Sequence, residues 1–349
     1  MTPPVPRVPL APGYDVSRII KGGWQLAGGH GAIAEDAAIA DMHAFADAGV
    51  TTFDCADIYT GVESLIGRFA AERRRSGAGA VQIHTKYVPD LGHLSRLTRD
   101  DVAAGIDRSL RRLGVETLDL VQFHWWDYDV PRYVEAALWL DELRRAGKIR
   151  HLGLTNFDVP RLREILDAGV PVVAHQVQGS VLDRRAFGAM RDLCRDRGIG
   201  LLCYGAVAGG FLSERWLGQP APVGPLENRS LVKYRLIIDE WGGWARFQSL
   251  LAALDRVARR HATGIGAVAT RLALDEPQVA AVVVGARHAG HLEALRTAAG
   301  LVLSDEDRAE IAATTAGASG PAGDVYDLER VKGGPHAAIM RYDLRDGGR

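Results

Sequence analysis

The chain has 349 residues, of which 47% are hydrophobic and 24% charged, and its formal net charge is −1. This balance suits a globular protein with a large core and excludes the basic field of a nucleic-acid or anionic-membrane binder. Three widely spaced cysteines, Cys55, Cys194 and Cys203, exclude a disulfide framework and fit a reducing compartment.

Residues 1–15 are proline-rich, with no charged start leading into a long apolar run, and read as an N-terminal extension rather than a secretory signal. No apolar run approaches bilayer length, so the expected location is cytoplasmic. From there short apolar runs alternate with helical spacing. A weaker first strand falls at 17–25, followed by runs at 51–56, 81–86, 118–124, 149–156, 172–177, 199–205 and 280–286. They are short, β-rich and largely apolar, as strands covered on both faces should be.

The intervening segments carry helical stripes. Val102, Ile106, Leu110 and Leu113 share a face, with Thr98 placed to cap the start and Gly114 to end the helix. Comparable stripes run over 183–197 and 244–260. "GIGAVA" at 264–269 imitates a dinucleotide fingerprint, but it follows a helix rather than a strand and reads as a helix start. Eight strand–helix units predict an α/β fold, a parallel (β/α)8 TIM barrel over 16–316, with an open doubly wound sheet as the alternative. A long connection follows the seventh strand, at 206–243. A glycine-rich tail at 317–349 is expected near the barrel mouth or at an interface.

The ends of successive strands carry Asp54, Lys86, His124, Asn156, Gln176 and Tyr204. In a parallel barrel these ends face one mouth, and buried polar groups need partners, so a functional mouth is expected rather than a purely structural polar ring. The chain has lysine only at 21, 86, 148, 233 and 332, yet it spends one at the end of an apolar strand. Asp54 could hold Lys86 charged, and Tyr59, five residues beyond Asp54, could donate a proton that a nearby ammonium makes easier to release. His124 is followed by Trp125 and Trp126. No Cys/His cluster or HExxH accompanies it, so no metal is expected. Cys55 has no neighbouring base in the sequence and reads as a small core residue.

Together these segments resemble the aldo-keto reductase superfamily. "FDCADIYTGVESLIG" is similar to its Asp-x4-Tyr segment, "HTK" to its lysine strand, "VQFHWWD" to its histidine strand and "LGLTNFD" to its Gly-[VL]-[ST]-Asn-[FY] strand. "HQVQGSVLDRR" and "YGAVAGGFL" resemble the stretches holding a nicotinamide-binding glutamine and a stacking tyrosine. The resemblance spans about residues 16–315 and implies an NAD(P)(H)-dependent oxidoreductase that moves a hydride between nicotinamide and an aldehyde, ketone or alcohol. It implies Tyr59 as general acid/base, Lys86 and Asp54 tuning it, and His124 orienting the carbonyl. For the cofactor it implies Gly23, Trp24, Thr155, Asn156, Gln176, Tyr204, Gly205, Ala206, Gly210, Leu212, Gly285, Arg287 and His291, with Gly205, Gly209 and Gly210 giving the pyrophosphate close approach. Trp24, Tyr87 and Trp125 match pocket positions for the substrate, and Trp216 and Trp241 are further candidates.

The segment at 285–295 lacks the lysine and arginine that many members use for a 2′-phosphate. Arg287 or His288 can compensate, which leaves NADP(H) only slightly preferred over NAD(H). The loop after Tyr59 is shorter than usual. The expected partner is a small carbonyl or alcohol, with no nucleic acid and no membrane, in a monomer or homo-oligomer. Two other readings stay open: a cofactor-binding regulatory subunit with little turnover, and a lyase or isomerase using Lys86 as a Schiff base.

Overall fold

The computed structural model describes residues 3–27 and 34–340. It opens on an antiparallel hairpin, β1 (Arg7–Ala11) and β2 (Tyr14–Ser17), which turns at Gly13 (φ +67°). The proline-rich composition hides this hairpin. Its inward residues Leu10, Tyr14 and Val16 pack against Ile20, Leu120, Ala174, Leu202 and Ala281 and close the bottom of the structure that follows. The Tyr14 hydroxyl lies 3.1 Å from His84 Nε2.

Eight parallel strands follow: β3 (Ile19–Gly22), β4 (Thr52–Asp54), β5 (Gln82–Tyr87), β6 (Leu118–Phe123), β7 (Ile149–Thr155), β8 (Val172–Gln178), β9 (Gly200–Tyr204) and β10 (Val279–Val284). Each pairs with the next, and β10 pairs with β3, so the sheet closes as the expected (β/α)8 barrel. Crossover helices cover it: α1 (Glu35–Asp47), α2 (Val62–Ser76), α3 (Arg99–Leu113), α4 (Tyr133–Arg145), α5 (Val159–Asp167) and α6 (Ala189–Asp196). The connection from β9 to β10 holds α7 (Arg229–Trp241), α8 (Gly243–Arg260) and α9 (Ile265–Asp275), and α10 (Leu292–Gly300), α11 (Asp305–Thr315) and α12 (Asp327–Arg330) follow β10.

Local chemistry explains several boundaries. Thr98 caps α3 in a reciprocal box with Asp101, and Gly114 ends it in the left-handed region. Helix α9 starts after Gly264, so "GIGAVA" is a helix start. Two expectations are corrected. The helical stripe over 183–197 becomes helix only from Ala189, because residues 185–187 form a 3-10 turn. The long connection over 206–243 is helical in its second half: Asn228 caps α7, and Leu231, Tyr234, Ile237, Ile238 and Trp241 bury one face of it.

After α11 the chain returns across the mouth. Asp324 accepts a bond from the Val159 backbone N–H at 2.7 Å, and His336 Nε2 lies 2.8 Å from Glu240 on α7. Arg229 of α7 donates to the Ile339 carbonyl at 3.2 Å. Tyr326 adopts a left-handed backbone (φ +63°), a costly conformation for an aromatic residue that surrounding contacts must hold. Among the described residues no helix is long and apolar enough to cross a membrane.

Candidate active site

The C-terminal strand ends surround a cavity of about 870 Å³. At its floor Asp54 closes β4 and Lys86 lies near the end of β5, with Lys86 Nζ 2.5 Å from Asp54 Oδ2 and 2.9 Å from the Cys55 carbonyl. The other oxygen of Asp54 accepts bonds from Gln122 Nε2 at 2.8 Å and Gln176 Nε2 at 2.7 Å. Burial disfavours the ammonium, but Asp54 and Tyr59 outweigh it and raise the Lys86 pKa, so Lys86 stays charged. A protonated amine is a poor nucleophile, which weighs against a Schiff base at this lysine.

Tyr59 stands in the cavity wall with its ring centroid 5.5 Å from Lys86 Nζ and 5.1 Å from the ring of Trp24. Burial pushes its phenol up, and Lys86 opposes that push without reversing it. The expected lowering by Lys86 is therefore present but smaller than the cost of enclosing a phenolate. The second carboxylate of this loop, Asp57, is structural: its Oδ1 accepts from the Val88 backbone N–H at 3.2 Å. Cys55 is fully buried, with its thiol pushed up by burial, consistent with a core residue.

His124 follows β6. Its Nδ1 lies 3.1 Å from the Thr155 carbonyl, and its Nε2 is buried with no hydrogen-bond partner. Burial, then the Arg330 guanidinium, lowers this imidazole to about 3. Asn156 has φ +62°, which asparagine tolerates, and its Oδ1 accepts from the Tyr204 hydroxyl at 2.9 Å.

From the floor the cavity extends along the loop after β9 to α10. Trp24, Thr155, Asn156, Gln176, Tyr204, Gly205, Ala206, Gly210, Leu212, Gly285, Arg287 and His291 all line it. Gly23 does not: its N–H bonds the Asp54 carbonyl at 2.7 Å, and an added Cβ would sit 2.9 Å from that oxygen, so its smallness serves strand packing. Of the three glycines expected to admit a pyrophosphate, Gly205 and Gly209 make room for the Tyr234 ring, and only Gly210 (φ +103°) leaves open space.

The substrate aromatics are corrected in part. Tyr87 is 1% exposed and points outward, its ring filling the space where a Cβ on Gly105 would stand. Strand alternation explains this, because Lys86 faces inward and its neighbour cannot. Trp125 is likewise buried among the helices, its indole N–H bonding the Asp127 and Val130 carbonyls at 2.9 and 3.0 Å. Trp126 lines the cavity instead, edge-on to His124 at 4.3 Å between ring centroids. Trp216 packs tilted on Phe211 and edge-on to Trp244, and Trp241 is buried with the apolar face of α7, so neither lines the cavity.

Several lining or supporting residues had no counterpart in the sequence reading. Gln122 was legible as a polar residue in an apolar strand, two positions before His124 and so on the same face. Lys233, Tyr326 and Met340 also line the cavity and come from α7 and the tail. Lys233 was marked only by the rarity of lysine. Among the described residues no group of three His, Cys, Asp or Glu side chains could hold a metal ion.

A family model described as "Aldo/keto reductase family" matches residues 18–316. Flagellar radial spoke protein 5 of Chlamydomonas reinhardtii is 32% identical over 63% of this chain, and the match spans only about half of that protein (49%). Aldo-keto reductase YhdN of Bacillus subtilis is 28% identical over 86% of this chain and 90% of its own. The solved structure of the glycerol dehydrogenase from Gluconobacter oxydans superposes with a TM-score of 0.76 at 24% identity, covering 92% of this chain and 96% of that one, a likeness of fold.

Proposed function

The chain belongs to the aldo/keto reductase family, and from that premise we propose that it is a nicotinamide-dependent oxidoreductase interconverting a small carbonyl compound and its alcohol, with Tyr59 as general acid/base. The observation that carries this reading is the Lys86–Asp54 pair beside the Tyr59 ring on the floor of a cavity that His124 also lines.

The residues present fit a dinucleotide. The cavity has the aromatic face of Tyr204, the open backbone at Gly210, the cations Arg215, Arg229 and Arg287, and two buried acceptors without partners, Gln25 Oε1 and Thr270 Oγ1. Thr155, Asn156 and Gln176 would hold a carboxamide, and Tyr204 would stack on the ring. Gly205, Ala206, Gly210 and Leu212 would follow the phosphates, and Gly285, Arg287 and His291 the adenosine. Bound there, the cofactor supplies a hydride in reduction and takes one in oxidation.

The protein's own residues do the rest. As negative charge develops on the carbonyl oxygen, the Tyr59 hydroxyl delivers a proton to it. The adjacent ammonium of Lys86 stabilises the phenolate left behind, and Asp54, anchored by Gln122 and Gln176, keeps that ammonium charged and aimed. In oxidation the same phenolate takes the alcohol proton. Trp24 and Trp126 would flank the substrate.

The test is oxidation of NADPH and of NADH with a panel of aldehydes and ketones, repeated with Tyr59→Phe. Carbonyl-dependent oxidation that survives this substitution unchanged rules out the proton donor. The similarity to a flagellar radial spoke protein favours a second reading, a cofactor-binding subunit with little turnover. That reading expects saturable NADPH binding with no carbonyl-dependent oxidation in the same assay.

A further inference from the structure

Two lysines lie in barrel strands, Lys86 in β5 and Lys21 in β3, and the proton transfer at Tyr59 uses only the first. Ile20, next to Lys21, packs inside the barrel, so strand alternation turns Lys21 outward, towards α1. There the side chain is enclosed, the residue being 2% exposed, with Nζ 5.4 Å from the Phe45 ring centroid. Burial pushes its amine down to about 8, and Asp41, also on α1, opposes that push, so the ammonium persists at neutral pH. A buried charge adds little stability by itself, and an apolar side chain fills such a space as well. A role beyond stability is therefore to be sought in what the charge holds.

Pairing of β10 with β3 ends at Val284, opposite Lys21. From there Lys21 Nζ reaches forward and donates to the Ala286 carbonyl at 3.0 Å. Three residues on, the Ala289 backbone N–H donates to Asp41 Oδ1 at 2.9 Å. That N–H opens the 3-10 turn 289–291, which runs into α10. The next N–H, that of Gly290, donates to His288 Nδ1 at 3.2 Å. Lys21 and Asp41 thus grip one short segment at two points, from the side facing α1. Arg287, His288 and His291 stand between and beside those grips and line the cavity where it reaches α10.

A segment ordered before its ligand arrives spares the ligand the cost of ordering it. We propose that Lys21 and Asp41 are positioning residues that hold residues 286–291 ready for the cofactor and so set the affinity for the adenosine half of the dinucleotide. This inference rests on the dinucleotide reading above. It concerns two side chains that reach the cavity only through the segment they hold.

The test is titration of the full-length protein at pH 7 with NADPH and NADH, followed by cofactor fluorescence. Displacement by ADP-ribose and by its 2′-phosphate locates the effect along the dinucleotide. Lys21→Met and Asp41→Ala should each weaken the tighter-binding dinucleotide by about tenfold, the scale of one hydrogen bond, and weaken the matching ADP-ribose by the same factor. Asp41→Asn keeps an oxygen for the Ala289 N–H and should stay within about threefold of the unaltered protein. The thermal midpoint of Lys21→Met should be unchanged or higher, whereas a purely structural pair would lower it and leave the affinities in place. Affinity within about twofold of the unaltered protein in Asp41→Ala, a loss that ADP-ribose does not share, or Asp41→Asn as weak as Asp41→Ala overturns the proposal. Should Lys21→Met not fold, the two substitutions at Asp41, a partly exposed residue, decide the matter. An unaltered protein that binds neither dinucleotide overturns the cofactor reading and this inference together; binding indifferent to Lys21 and Asp41 overturns this inference alone.

Discussion

Lys233 on α7 and Glu329 on α12 form an ion pair at 2.9 Å, with side chains 12% and 0% exposed. Lys233 Nζ also sits 5.3 Å from the Tyr204 ring centroid and 5.4 Å from that of Tyr326. Arg185, from the loop after β8, approaches the same carboxylate at 3.9 Å. The tail is thus fastened to two loops of the mouth by charges with little access to water. Removing one partner of such a pair leaves the other uncompensated. Glu329→Ala is expected to cost about 3–5 kcal/mol in chemical denaturation, and the paired change Lys233→Met with Glu329→Leu to recover most of it. A single substitution costing under about 1 kcal/mol would show that the fastening lies elsewhere.

The same carboxylate sets an acid limit. Burial alone would raise its pKa, but Lys233 and Arg185 outweigh burial and hold it at about 2, against the usual 4.5. A depressed folded-state value stabilises fully above the unfolded value and is lost as pH falls from about 4.5 towards 2. Glu329→Gln should therefore flatten the decline of stability across that window, measured by urea midpoints at successive pH values.

At the floor, Tyr59→Phe should lower kcat/KM for carbonyl reduction by about 10²- to 10⁴-fold, the range of a positioned proton donor, with the thermal midpoint nearly unchanged. Lys86→Met removes the one large influence that lowers the phenol pKa. Alcohol oxidation needs the phenolate, so the rising limb of its pH–rate profile should move to higher pH. A limb that stays in place would separate Lys86 from the titration of Tyr59.

The two adjacent tryptophans make a paired prediction. Trp125 is fully enclosed, and Trp125→Ala should cost about 3–5 kcal/mol of stability while leaving KM for a carbonyl substrate little changed. Trp126 faces the cavity, so Trp126→Ala should alter KM or kcat/KM more than stability. Steady-state kinetics and denaturation of both variants measure the split, and the reverse pattern would put the pocket on the wrong indole.

Much of this molecule was determined by its sequence alone. Eight apolar runs alternating with helical stripes indicate a parallel sheet covered on both faces, as a closed barrel or an open doubly wound sheet; the structure closes it, and the polar residues at the strand ends share one mouth. Asp54, Lys86 and His124 were legible as polar residues at strand ends, Lys86 also by the rarity of lysine, whereas Tyr59, in the loop beyond Asp54, was picked out by its neighbours and by the resemblance of its segment. What only the tertiary structure decided lies where strand periodicity ends. Beyond a strand's last residue no alternation rule says which of Trp125 and Trp126 turns inward. Nothing local in "YDLER" says that Glu329 will meet a lysine of α7 or that Arg330 will grip two carbonyls beside His124. Those placements follow from burying charge far along the chain, where partners are chosen by proximity in the folded state and leave no spacing to read.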